Sequence, residues 1–345
     1  MDLIIFIVAL SILVLVHEFG HFFAARKTGV KVEEFGLGLP PRIIGKKIGD
    51  TIYSINWLPI GGFCKLYGED GDGKGGVAFN NKNPWQKLII VLGGVLMNLV
   101  LAIVIFSVVY TILGVPKETD QVKVIGIAKD SPAEKVGLKE NDVILKVGDK
   151  EIKKSEELTS EVAKYKGKNI NLVINEGSVV EVEVRENPPE GEGSIGIAIS
   201  NTEMVKVPWY QFYKGIGAGF KEAYFWGEII VNGVFKMIGG LFMGQVPKDV
   251  SGPIGMYEAT SSMKENQGFL AVIHFFGIVS VNLAVVNMLP FPALDGGRIL
   301  FVMYEIIFKK KANQKLEMVA NNVGMILLLG LILLITIGDI GRVLK

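Results

Sequence analysis

Four stretches of this chain are apolar over the length that a membrane crossing requires. They are residues 3–25, 88–115, 269–294 and 323–337, and about 20 helical residues cover the roughly 30 Å hydrocarbon core of a bilayer. A fifth stretch, 220–243, is apolar but broken by Lys221, Glu222, Glu228 and Lys236. It is predicted to be an amphipathic helix lying on the outer membrane surface. The first stretch is unlike a cleaved secretory signal. It opens on Met1-Asp2 with no basic leader and runs on through His-Glu-Phe-Gly-His with no small-residue cleavage pattern, so it is predicted to remain as a span.

Charge sets a direction for these spans. The loop after the first carries Arg26, Lys27, Lys31, Arg42, Lys46 and Lys47. The segment after the third carries Arg298, Lys309, Lys310, Lys311 and Lys315. Basic loops favour the cytoplasmic side, which places both termini and the long 116–268 region outside. The predicted organisation is helix 1 in 1–29, a cytoplasmic loop in 30–86, helix 2 in 87–116 and a small domain in 117–204. An outer amphipathic helix and loop follow in 205–267, then helix 3 with a cytoplasmic segment in 268–318 and helix 4 in 319–345.

The polar segments have their own patterns. Residues 122–128, 169–174 and 179–184 read as strands, the last by strict alternation, and 155–164 reads as a helix. The run Ser131-Pro-Ala-Glu-Lys-Val-Gly-Leu-Lys-Glu-Asn-Asp-Val-Ile-Leu resembles the signature of a bacterial PDZ domain, with Asn141 where that signature usually has glycine. Asparagine also tolerates positive φ. One such α+β unit is present, predicted to lie outside the cell and to bind peptide termini against a sheet edge. The glycine-rich cytoplasmic loop weakly alternates over 48–60, and Gly61 and Gly62 punctuate it. A membrane-associated β-hairpin is predicted there, whose edge pairs with an unwound substrate strand. Residues 68–83 are expected to form a polar tether.

Composition narrows the function. Half of the residues are hydrophobic, the mean hydropathy is +0.40 and the net charge is +1. No basic field marks the chain for nucleic acid. A single cysteine, Cys64, excludes intrachain disulfides and a cysteine-rich metal site, and is read as a packing residue. Only His17, His21 and His274 are histidines.

His17-Glu18-Phe19-Gly20-His21 is an H-E-x-x-H motif inside a span. Spacing of four puts both imidazoles on one helical face, where they can share zinc, with Glu18 beside it as general base. By chance the motif arises in about one such chain in a thousand, and two histidines with a glutamate are costly inside a bilayer unless they have a task. Zinc needs a third ligand and an open position. Asp295, in Leu294-Asp295-Gly296, is the strongest candidate, because it ends the third span on the side where His17 and His21 end theirs, a match in depth that requires residues 220–243 not to cross the membrane. His274 lies about twenty residues earlier, roughly 30 Å away at helical rise, too far to reach the metal.

With these motifs in view, the sequence resembles the site-2 protease family of intramembrane zinc metalloproteases, closest to the bacterial regulator-of-sigma-E protease type. The resemblance rests on His17-Glu18-x-x-His21, Leu294-Asp295-Gly296, the PDZ-like run and Ser251-Gly-Pro-Ile-Gly255, in the family's order. Some relatives carry two PDZ domains; this chain carries one. The resemblance implies one zinc held by His17, His21 and Asp295, with Glu18 as base. It implies cleavage of single-span proteins, such as trimmed anti-sigma factors or remnant signal peptides, in regulated intramembrane proteolysis in a bacterial inner membrane.

Supporting residues follow. Asn282 and Asn287 in the third span, and Asn98 in Gly94-Val-Leu-Met-Asn98, are candidates to hold substrate backbone, along with Gly61 and Gly62. Interhelical hydrogen bonding and glycine-mediated packing are the plainer roles for the same residues. Pro290 and Pro292 are expected to break the third helix near the metal. A non-catalytic PDZ scaffold and a zinc-dependent lipid hydrolase are the competing classes. The intact His17, Glu18, His21 and Asp295 set opposes the first, and the peptide-binding modules oppose the second.

Overall fold

The apolar runs are helices in the computed structural model, which describes residues 2–69, 71, 73–175, 177–189, 191–243 and 252–343. The first is α1 (Asp2–Lys27). A β-segment follows, β1 (Val32–Ile48) and β2 (Thr51–Leu66), and then α2 (Pro84–Leu113). Next come β3 (Val115–Ile127), α3 (Pro132–Lys135), β4 (Val143–Val147), β5 (Lys150–Glu151), α4 (Ser155–Val162), β6 (Asn169–Ile174), β7 (Ser178–Glu183) and β8 (Ile197–Val205). The chain ends in α5 (Phe212–Phe242), α6 (Pro253–Gln267), α7 (Phe269–Asn287), α8 (Asp295–Phe308) and α9 (Gln314–Val343). Two units result: Met1–Thr111 with Tyr210–Lys345, and Ile112–Trp209.

Among the described residues, four helices are long and apolar enough to cross a membrane: Asp2–Lys27, Pro84–Leu113, Phe269–Asn287 and Gln314–Asp339. The third ends earlier than its hydrophobicity suggests. α7 stops at Asn287, residues 288–294 form a turn holding Pro290 and Pro292, and Asp295 opens a new helix, α8. Asp295 is thus the first residue of the next helix and does not end the span. Hydropathy overlooks this break because Leu289, Phe291 and Leu294 keep the turn apolar.

The helix expected in 220–243 forms the later part of α5. α5 is not among the described helices long and apolar enough to cross a membrane, and its first turns pack against the end of α2. A Cβ on Gly215 would lie 2.3 Å from Thr111 Oγ1, and one on Gly219 2.4 Å from Ser107 Oγ. Farther along, Ala223 and Val231 share a crevice with Leu99 and Ile103, and Phe235 shares another with Leu92 and Val95. As α5 advances its partners on α2 move backward, so the helices are antiparallel neighbours. The small pair at positions 215 and 219 lets their backbones approach.

The β-segment is more than a hairpin. Residues 34–37 of β1 pair on one side with 52–55 of β2 and on the other with 62–65, while 42–48 pair with 51–56. Both strands are therefore bent, and four short segments lie in the order 42–48, 51–56, 34–37, 61–66. The 61–66 segment packs on α1: a Cβ on Gly62 would stand 3.3 Å from Leu15 and 3.8 Å from Glu18.

The second unit is an antiparallel sheet in the order β7-β6-β4-β3-β8, with β5 paired to β4. Val122, Val124, Ile144, Leu158, Leu172 and Val182 form its core. Ser131 caps α3, its hydroxyl accepting from the Glu134 amide at 3.2 Å, and Pro132 fits the first turn. Asn141 takes φ +73°, the backbone for which glycine is otherwise preferred. Ser251 of the Ser-Gly-Pro-Ile-Gly run lies outside the described residues.

Candidate metal centre

α1 and α2 cross at glycine. A Cβ on Gly20 would lie 2.1 Å from the Gly93 carbonyl oxygen, and one on Gly93 2.6 Å from the Gly20 carbonyl oxygen. Any side chain at either position would force the helices apart. The same crossing seats the imidazoles of His17 and His21 on α2, where a Cβ on Gly94 would stand 2.4 Å from His21 Nε2. The turn 288–294 brings α8 to this point. It folds so tightly that a Cβ on Gly296 would lie 2.0 Å from the Leu289 carbonyl oxygen.

Asp295 Oδ2 then stands 3.1 Å from His17 Nε2 and 3.3 Å from His21 Nε2, and the two nitrogens are 3.2 Å apart. These edges match a zinc site: ligand atoms about 2.0–2.1 Å from a tetrahedral zinc lie about 3.3–3.4 Å from one another. Donor chemistry agrees. His21 Nδ1 is 2.9 Å from the Ile90 carbonyl oxygen, which only accepts, so Nδ1 carries the proton and the neutral ring leaves a lone pair on Nε2. Asp295 Oδ2 is buried with no hydrogen-bond donor. Acceptors converging without protons are a site for a cation.

Asn98 is fully buried, with its amide 3.3 Å from His17 Nδ1, and its Oδ1 has no partner. With the oxygen turned toward Nδ1–H both groups are satisfied, and His17 too presents a lone pair from Nε2. Asn98 therefore orients a ligand, beyond the substrate contact expected of it. Ser280 fixes the same turn by donating to the Asn98 carbonyl at 2.8 Å.

A cavity of about 520 Å³ opens on the triad, lined by Glu18, Asn98, Asn287, Phe63, Cys64 and Arg298 among others. Asn287 Nδ2 lies 3.5 Å from His17 Nε2. Asn282 is exposed and does not line the cavity. Five residues turn a helix by about 140° net, so Asn282 and Asn287 cannot both face the site. Gly61 and Gly62 are buried behind the wall that Phe63 and Cys64 provide. Burial, with Glu18 and Glu69 nearby, pushes the Cys64 thiol well above its usual range. It serves as a packing group in the cavity wall.

Two features are not evident from the sequence alone. Arg298, one helical turn after Asp295, forms an ion pair with Glu69, tying α8 to the loop after β2. Its one signal is the i, i+3 spacing from Asp295. His274 is bound away from the triad, 3.2 Å from Glu222 of α5.

A two-histidine, one-aspartate triad with a glutamate beside it, set among membrane-length helices, defines a membrane-embedded metallopeptidase. The model of Peptidase family M50 matches residues 5–331. Relatives that bear the name "Putative zinc metalloprotease" occur in Clostridium acetobutylicum (34% identical, covering 98% of this chain and 97% of the relative) and Clostridium perfringens (34%, 99% and 98%). Another, in Campylobacter jejuni, is 31% identical over 98% of this chain and 92% of its own length. The chain belongs to Peptidase family M50, the site-2 protease family, and is a zinc-dependent protease of the membrane.

Proposed function

We propose that this chain is an endopeptidase that cuts the membrane-spanning segments of single-span proteins, with His17, His21 and Asp295 holding one zinc and Glu18 as general base. The observation that carries this reading is the convergence of Asp295 Oδ2 with both histidine Nε2 atoms, within 3.1–3.3 Å, in a cavity that Glu18 also lines. Zinc in such a triad supplies Lewis acidity and brings the pKa of water to about 7. The carboxylate of Glu18 takes the proton of the attacking water and returns it to the leaving amine.

A substrate helix must unwind to present a peptide carbonyl. The 61–66 segment of β2 supports this step: it ends the four-segment order, with no strand paired to its outer side among the described residues. An extended substrate added there passes beside Glu18, and Asn287 holds its backbone near His17. Strand addition supplies main-chain hydrogen bonds whatever the sequence, as an enzyme for varied spans needs.

In the orientation favoured by the basic segments, this β-segment and the α8–α9 connection face the cytoplasm of a bacterial cell, and the α+β unit lies outside. The Ser131–Leu145 resemblance makes that unit a PDZ-type binder of peptide termini. It suits substrates already trimmed on their outer side, such as anti-sigma factors or remnant signal peptides in regulated intramembrane proteolysis.

The test is cleavage of a tagged single-span substrate by purified protein in detergent, with Glu18→Gln in parallel and zinc counted in both. Near one zinc per chain, with cutting lost only in Glu18→Gln, is expected. Zinc bound and no cutting of any of several spans by the unaltered protein would favour a scaffold.

A further inference from the structure

A second cavity, of about 380 Å³, lies where α2 begins and α8 ends. Lys82, Lys309, Lys310 and Lys311 line it together with Trp85 and Glu305. Glu305 adds no free negative charge. Its Oε2 pairs with Lys87 Nζ at 2.7 Å, and its Oε1 accepts from the Ala312 amide at 3.2 Å. Among the described residues Lys82, Lys309 and Lys310 have no ion-pair partner, and Lys311 donates only to the Asn80 carbonyl and to Asn81 Oδ1, each at 3.3 Å. Four lysines from two distant parts of the chain thus line one space, with no carboxylate among the described ion pairs left over to neutralise them. Lysines at a helix C-terminus offset the helix dipole, but that does not account for Lys82, which comes from the segment before α2.

The surroundings say what kind of anion belongs there. Pro84 is the first residue of a membrane-length helix, and Trp85 beside it is 63% exposed. Tryptophan with lysine at such a position marks the level of lipid headgroups. α8 carries a second, independent mark. Leu300, Met303, Tyr304, Ile307 and Phe308 are all exposed and follow the 3-1-3-1 spacing of one helical face. Val302 and Glu305, on the other side, are buried. An apolar stripe that ends in Lys309-Lys310-Lys311 is built to lie at the membrane interface, with acyl chains along the stripe and a headgroup at its end.

We infer that this cavity binds the phosphate headgroup of an anionic phospholipid, held by Lys82 and Lys309–Lys311, with Trp85 at the headgroup level and acyl chains along the apolar face of α8. Charge complementarity, the start of a span and the amphipathic stripe meet at one place, and a soluble anion would use only the first of them.

The test uses the full chain in nanodiscs of phosphatidylcholine doped with phosphatidylglycerol, with lipids retained after detergent extraction identified by native mass spectrometry. Selective retention of phosphatidylglycerol is expected. Each lysine near an anionic surface is worth about 1 kcal/mol, or about fivefold, so Lys309→Gln with Lys310→Gln should weaken retention roughly thirtyfold. Lys309→Arg with Lys310→Arg should keep it, which separates lost charge from lost folding. Lys46→Gln with Lys47→Gln removes the same charge from β1 and should change nothing. Equal loss in both glutamine pairs, or no preference in the unaltered protein, overturns the site. Full displacement by millimolar inorganic phosphate would overturn the lipid as its occupant.

Discussion

The helical bundle holds two histidine–carboxylate clusters at nearly the same spacing, and only one suits a metal. In the first, His17 and His21 lie 3.1 and 3.3 Å from Asp295. In the second, His274 lies 3.2 Å from Glu222. The difference is in the protons. Glu222 Oε1 also accepts from Trp226 Nε1 at 2.9 Å, and the Tyr110 hydroxyl lies near the same carboxylate. Here the carboxylate is met by donors from its neighbours, so the cluster is a joint between α2, α5 and α7. Around Asp295 the donors are turned outward, to Ile90 and Asn98, and the lone pairs turned inward. Proximity of a histidine to a carboxylate does not make a metal site; an excess of acceptors over protons does.

Substitutions can break this contrast at graded cost. Asp295→Ala removes a ligand, so zinc measured by atomic emission should fall to background and cleavage with it; a strong chelator applied to the unaltered protein should do the same, reversibly. Glu18→Gln should keep zinc near one per chain while cleavage drops about 10²–10⁴-fold, the usual contribution of a general base. Asn98→Ala frees His17 to turn, and zinc affinity in a competition titration should fall about 10–100-fold. His274→Ala should leave zinc content untouched and lower only the thermal unfolding midpoint in detergent, because it loses one hydrogen bond to a charged group, worth about 1.5–3 kcal/mol. Zinc loss in the last variant as large as in Asp295→Ala would erase the distinction between the clusters.

The ligands were legible because helical periodicity is local. His17 and His21 share a face by spacing alone, and a polar pair is too costly inside an apolar run to persist without a task. Asp295 was legible by depth, although its element was not: the turn 288–294 is apolar enough to pass for span, so α8 and its exposed stripe stayed hidden. The course of α5 was hidden for another reason. Gly215 and Gly219 look like flexibility until Ser107 and Thr111 are seen against them. The double pairing of residues 34–37 depends on bends whose positions no alternation announces. Strands 169–174 and 179–184, by contrast, lie in a sheet with a single core and closely match their pattern.

The contact of Gly20 with Gly93 has a mechanical meaning. Backbone against backbone makes Gly20–Gly93 the closest approach of two helices that also share core contacts on either side, and a rotating body moves least near its pivot. Gly20 sits between His17 and His21 in the chain, so the pivot coincides with the ligands. Any rotation about that contact would move the far ends of α1 and α2 more than the triangle of ligand atoms beside it. Admission of a bulky guest and retention of an exacting geometry are thus compatible demands on one pair of helices.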